Sequence, residues 1–155
     1  MSEEEESFLD PVEMVDISQK PVVRRVAEAV GEIRLRPQTV AAIRSRQITK
    51  GSVLAAAEIA GVLAAKRTAE LIPLCHHIPL SQVSLRFEVA ADSVTSKCTV
   101  TTYYKTGVEV EALVGVTTSL LTIWDMVKYL EKDEGGQYPH TRIRSIRVTK
   151  KWKDE

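Results

Sequence analysis

The chain has 155 residues, 44% of them apolar and 27% charged, which suits one globular domain with its own hydrophobic core. Its 21 basic and 21 acidic side chains cancel. That balance excludes a general nucleic-acid binder, which needs a basic surplus, and favours self-association.

The N-terminal run Glu3-Glu4-Glu5-Glu6 is acidic where a secretory leader would be basic. It predicts a disordered acidic arm over residues 1–13, with Met14-Val15-Asp16-Ile17-Ser18 apolar enough to dock. Residues 22–35 place Val26, Ile33 and Leu35 among Arg and Glu, an amphipathic strand with Gly31 as a bulge. Pro37 opens a short helix running to Gln47. Thr49-Lys50-Gly51-Ser52 is a turn, with Ser52 as N-cap of the next helix. That helix, residues 53–69, is Ala-rich and apolar nearly all round, so it is buried on more than one side, and Gly61 lets another backbone come close. Residues 82–89 and 93–104 alternate as strands around a hairpin at Ala91-Asp92-Ser93. Residues 108–131 form a second long helix, whose apolar side carries Leu113, Val116, Leu120, Ile123, Trp124 and Val127. Gly135-Gly136 breaks the chain, and residues 141–149 alternate again. The expected class is α+β: a ferredoxin-like antiparallel sheet packed against two long helices, with an N-terminal strand and short helix added. No apolar run reaches the roughly 18 residues of a membrane helix. Two cysteines, Cys75 and Cys98, in no CxxC pair, fit a reducing, cytoplasmic setting.

Three clusters carry chemistry. In the first, Pro73 and Pro79 bracket Leu74, Cys75, His76 and His77 in a stiff loop. Zinc would need a second Cys/His pair at ligand spacing, and His140 is the only other histidine. A nucleophilic Cys75 would need a nearby base and a lowered pKa. The second cluster is Thr106-Gly107-Val108-Glu109-Val110-Glu111. Thr106 or Gly107 can cap the helix here, and Glu109 suits its first turn better than Glu111 does. The third is Asp125 and Lys128, three apart on one helical face: a surface ion pair of little energetic value, or, as Trp124, Met126 and Val127 around them favour, a partly buried acid–base pair. Lys50-Gly51-Ser52 before a helix has the form of an anion-binding helix start without a Walker motif, among basic residues most of which read as solvated surface charges. Glu111 and Asp125 lie 14 residues apart on one helix, on the order of 20 Å, too far for one small substrate. Either the clusters are separate, or a second subunit completes the site, and the balanced charge and many-sided apolar helices favour the second.

Met14-Val15-Asp16-Ile17-Ser18-x-Lys20, Lys50-Gly51, Ala60-Gly61-x-x-Ala64-Ala65-Lys66-x-Thr68, Leu71 to His76, Thr106-Gly107-Val108-Glu109-x-Glu111-Ala112-Leu113 and Leu121-Thr122-Ile123-x-Asp125-Met126-x-Lys128 occur in this order. Together they resemble the cyclic pyranopterin monophosphate synthases, the MoaC family of molybdenum cofactor biosynthesis, over about residues 14–150. The resemblance implies one catalytic domain, residues 14–155. This would convert 3′,8-cyclo-7,8-dihydroguanosine triphosphate to cyclic pyranopterin monophosphate and pyrophosphate, as a phosphorus–oxygen lyase. It implies Asp125, Lys128 and Lys50 as catalytic residues. It implies Leu74, Cys75, His76, Glu109, Val110 and Glu111 as substrate-binding, with Arg25 and Lys150 where phosphates would be held. It also implies a homo-hexamer, a trimer of dimers with sites at the dimer interface. No metal site and no resident cofactor are expected, Mg2+ entering only with the triphosphate. No nucleic-acid or membrane partner is expected. The chain departs from the family at His77, Val23, Ser52 and Trp124. It also ends in Lys150-Lys151-Trp152-Lys153 in place of a Gly-rich basic tail. A non-catalytic binder would need the basic groups but not Asp125 beside Lys128. A purely structural oligomer would need neither.

Overall fold

The computed structural model describes residues 10–154, so the expected arm over residues 1–13 falls largely outside the described residues. The elements are β1 (Val23–Arg34), α1 (Pro37–Arg44), α2 (Val53–Lys66), α3 (Thr68–Leu71), β2 (Leu80–Val89), β3 (Ser93–Tyr104), α4 (Glu109–Glu131) and β4 (Arg142–Lys153). One antiparallel sheet has the order β2-β3-β1-β4, with α2 and α4 packed on each other and on the sheet. This is the ferredoxin-like arrangement that the alternation of the strands and the length of the helices predict. One detail differs. The N-terminal strand is not an addition: β1 is a central strand, paired along its length to β3 and β4. Only α1 is inserted. β1 is buried along most of its length, as a strand flanked on both sides and covered by α4 must be.

Gly31 is the expected bulge. The β1–β4 register slips between Val30 and Glu32, and a side chain at Gly31 would meet Val116, Leu120 and Ile146 within 2.9 Å. Gly61 has the predicted role too: a Cβ there would stand 2.9 Å from the backbone oxygen of Gly115, so α2 and α4 cross where neither carries a side chain. The core between the helices and the sheet is built from Ala27, Ile33, Leu85, Val100, Val116, Leu120, Ile123 and Val127. By length and composition α4 could cross a membrane, with a mean hydropathy of 1.4 over its most apolar window. Packing explains that apolarity instead, since α4 lies between the sheet and α2. Ser52 is the N-cap of α2 as expected, though without a side-chain cap bond, whereas Val108, not Thr106 or Gly107, is the N-cap of α4.

The C-terminal end of α4 is tied down by Glu131, which is only 1% exposed. Its carboxylate accepts hydrogen bonds from the Arg36 N–H (3.2 Å), from the Thr39 hydroxyl and from the Thr141 hydroxyl (2.7 Å). One buried charge therefore joins α4, the start of α1 and the approach to β4. Its negative charge also suits the positive N-terminal end of α1.

Candidate active site

The residues singled out by sequence gather at the two ends of α4. At its C-terminal half, Asp125 is held between two lysines. Lys50 Nζ lies 3.1 Å from Asp125 Oδ2 and 3.1 Å from the Asp125 carbonyl oxygen, and Lys128 Nζ lies 3.4 Å from Oδ1. The helix places Lys128 one turn beyond Asp125. The turn after α1 brings Lys50 across from 75 residues away, reversing at Gly51, whose φ is +108°. The Lys50 hydrogen bond first, and then that from Lys128, lower the Asp125 pKa from the ordinary carboxylate value. The expected burial of this pair is not seen, because the Asp125 side chain is 59% exposed. The neighbours Met126 and Val127 turn into the core, whereas Asp125 sits on the outer face of α4. Beside it, the Thr49 hydroxyl and N–H both donate to the Tyr129 oxygen, which lowers the phenol's pKa.

At the N-terminal end of α4 lies a cleft of about 420 Å³. It is lined by Leu74, Cys75 and His76 from the loop after α3, by Glu109, Val110 and Glu111 from α4, and by Val15, Ile17 and Lys20 from the N-terminal segment. The predicted docking of Met14 to Ser18 takes this form: His76 Nε2 lies 2.6 Å from the Val15 carbonyl oxygen, and Lys105 Nζ donates to the Ser18 carbonyl at 3.3 Å. His77 is exposed and lines no part of the cleft. Burial first, and the nearby Glu111 second, raise the Cys75 pKa. A thiol held protonated is a poor nucleophile, so Cys75 acts as wall. Among the described residues, no group of three His, Cys, Asp or Glu side chains is placed to hold a metal ion.

Glu111 is the unusual group of the cleft. It is 4% exposed, Oε2 has no hydrogen-bond partner among the described residues, and burial pushes its pKa up to about 7, with Glu109 adding repulsion. A carboxyl whose folded pKa lies above its unfolded value of 4.5 holds a proton more tightly in the native state. Stability is therefore lost as pH rises from about 4.5 through about 7. Glu111→Gln, which mimics the protonated form, is expected to match the wild type at pH 5 and to be the more stable at pH 8, by on the order of 2 kcal/mol. Denaturant melts at the two pH values check this, and equal stability at both would refute it.

A second, basic recess of about 510 Å³ adjoins the cleft, lined by Lys20, Arg25, Lys151, Trp152 and Lys153. Lys20 borders both spaces. Arg25 is buried and fixed by donation from Nε to the Tyr104 carbonyl at 3.1 Å. Lys151 Nζ also pairs with Glu109 Oε1 at 2.9 Å, so β4 closes against the start of α4. Lys150, favoured from the sequence, does not line the recess. Lys151 was missed, and the one signal for it was the lysine cluster Lys150-Lys151-Trp152-Lys153.

Asp125 and Glu111 belong to opposite halves of one helix, about 21 Å apart at 1.5 Å per residue. Within one chain, then, the acid–base cluster and the cleft are separate.

A family model described as the MoaC family matches residues 14–153. The chain belongs to the MoaC family. Among curated proteins it is 61% identical to a probable cyclic pyranopterin monophosphate synthase of Pyrococcus abyssi, over 92% of this chain and 89% of that protein. It is 58% identical to a protein of the same description from Thermococcus kodakarensis, over 93% and 92%. It is 56% identical to a probable cyclic pyranopterin monophosphate synthase accessory protein of Methanothermobacter thermautotrophicus, over 93% and 91%. The match spans both ends of α4, the cleft loop and the N-terminal segment from Met14.

Proposed function

We propose that this chain is a cyclic pyranopterin monophosphate synthase of molybdenum cofactor biosynthesis, a soluble, cytoplasmic phosphorus–oxygen lyase. It converts 3′,8-cyclo-7,8-dihydroguanosine triphosphate to cyclic pyranopterin monophosphate and pyrophosphate. The observation that carries the reading is the carboxylate of Asp125 clamped between Lys50 and Lys128, in a chain of this family. Opening and rebuilding rings requires proton transfers, and an acid–base pair of matched groups provides them. Closing the cyclic phosphate requires neutralisation of the triphosphate, which the basic recess suits. Leu74, Cys75, His76, Val110 and Glu111 form the wall for the base, and Glu109 supports it through Lys151. Arg25 and Lys151 hold phosphate oxygens, with Lys150 adding charge from outside the recess. The reading invokes no resident cofactor, and any Mg2+ would come with the triphosphate. Incubating the purified protein with the cyclised dihydro-GTP should release pyrophosphate and a pterin, and absence of both products would end the enzyme reading.

The site is shared between two copies, within a hexamer built as a trimer of dimers. Two features support this. The clusters are too far apart within one chain, and Ile59, Leu63, Leu71, Leu74 and Leu121 expose apolar surface on and beside the helices. Because Lys50 and Asp125 form one cluster, complementation must pair one variant from each end of α4. Asp125→Ala mixed with His76→Ala is expected to recover about a quarter of wild-type activity after subunit exchange, since half of the sites in half of the dimers are intact. No recovery, with exchange demonstrated, would show that each chain works alone.

A further inference from the structure

Lys50 can act with Asp125 only if an exposed turn is held against α4. The segment from Ser45 to Ser52 has no regular structure, and Thr49, Lys50 and Gly51 are all exposed. Within the turn, the Gly51 N–H bonds to the Ile48 carbonyl at 3.0 Å, which shapes the reversal but does not attach it to the helix. Ile48, at the base of the turn, is buried in the core, and at the exposed tip, besides the contacts of Lys50 itself, one described side chain makes a hydrogen bond across from α4. Tyr129, one helical turn beyond Asp125 on the same face of α4, receives the Thr49 N–H at 3.0 Å and the Thr49 hydroxyl at 3.3 Å.

We propose that Tyr129 is a positioning residue for Lys50: its hydroxyl pins the backbone next to Lys50 and so fixes the ammonium on Asp125. The inference rests on the functional reading above, in which Lys50, Asp125 and Lys128 act together. A lysine side chain has many rotamers, and an exposed ion pair alone holds it weakly. Anchoring the backbone one residue away removes much of that freedom before substrate arrives, which is how a positioned group gains effectiveness. The anchor uses the N–H of Thr49, so it would accept any residue but proline at that position. It does require an acceptor at the end of the residue 129 side chain.

The test is Tyr129→Phe, which removes one oxygen from a side chain that is 44% exposed and so leaves the fold intact. Amide exchange at Thr49 should speed up by roughly tenfold as its acceptor is lost. With the cyclised dihydro-GTP as substrate, kcat should fall by roughly tenfold while KM changes little. The acid limb of the pH profile should move to higher pH. The groups facing Asp125 are Lys50 and Lys128, and loosening Lys50 removes the larger influence that lowers its pKa. A merely structural tyrosine would lower the melting temperature without moving that limb. Wild-type kcat and an unmoved limb in Tyr129→Phe, alongside an inactive Asp125→Asn, would overturn the positioning role while leaving the functional reading standing. If the wild type itself turns nothing over, the functional reading fails, and unchanged Thr49 exchange would then overturn the anchor as well.

Discussion

Asp125→Asn is expected to reduce turnover by about 10²–10⁴-fold while leaving the melting temperature almost unchanged. The rate range is what removal of a general acid–base group produces. The small stability effect follows from exposure. Asp125 lies at the surface, and its pairs with Lys50 and Lys128 are solvent-screened. Asparagine keeps the size and one accepting oxygen, so Lys50 still has a partner, but the group can no longer take up a proton. Lys128→Ala should fall in the same range, because the two act as one unit and their losses will not add. Pyrophosphate release measured beside a calorimetric melt separates the effects. An Asn variant that keeps its rate would mean that Asp125 only holds the two lysines. An Asn variant that unfolds would mean that the cluster is structural.

The second large effect is on stability. Glu131→Ala is expected to destabilise the protein by about 3–5 kcal/mol, a drop in melting temperature of roughly 10 °C. Glu131 is buried and satisfies the Arg36 N–H and the hydroxyls of Thr39 and Thr141. Alanine leaves a small void and three donors without their acceptor in a place closed to water. Glu134→Ala, three residues on and exposed, is the control and should shift the melt hardly at all. A Glu131→Ala melt close to wild type would mean that water replaces the carboxylate. Because Glu131 lies one turn beyond Lys128 on α4, the same variant should also lose activity below its melting point. That would separate it from a residue whose only role is in folding.

Much of the fold was legible because its signals are local. β2 and β3 alternate with a period of two, and Gly61 and Gly31 stand where chains must approach closely or a ladder must slip. The partners of Glu131 were not legible. It sits in a charged run, Glu131-Lys132-Asp133-Glu134, that reads as solvated, and its nearest side-chain partners lie 92 and 10 residues away. Nor was it legible that β1 lies at the centre, since pairing order is a long-range property.

The site divides in the same way. Sequence alone named the candidates: the Pro-bracketed Cys75-His76 loop, the acidic start of α4, and Asp125 with Lys128 and Lys50. It also placed Glu111 and Asp125 too far apart for one substrate, because helical rise is fixed by the backbone. Only tertiary structure decided that Lys50 joins Asp125 rather than the cleft, and that Tyr129 holds it there. It alone decided that Lys151, not Lys150, lines the recess. The β1–β4 register slips between Glu28 and Ala29, where Thr149 is left out of the pairing, and a one-residue slip exchanges the faces of every side chain beyond it. Alternation can be counted along a strand, but the bulge that resets the count is set by the strand beside it.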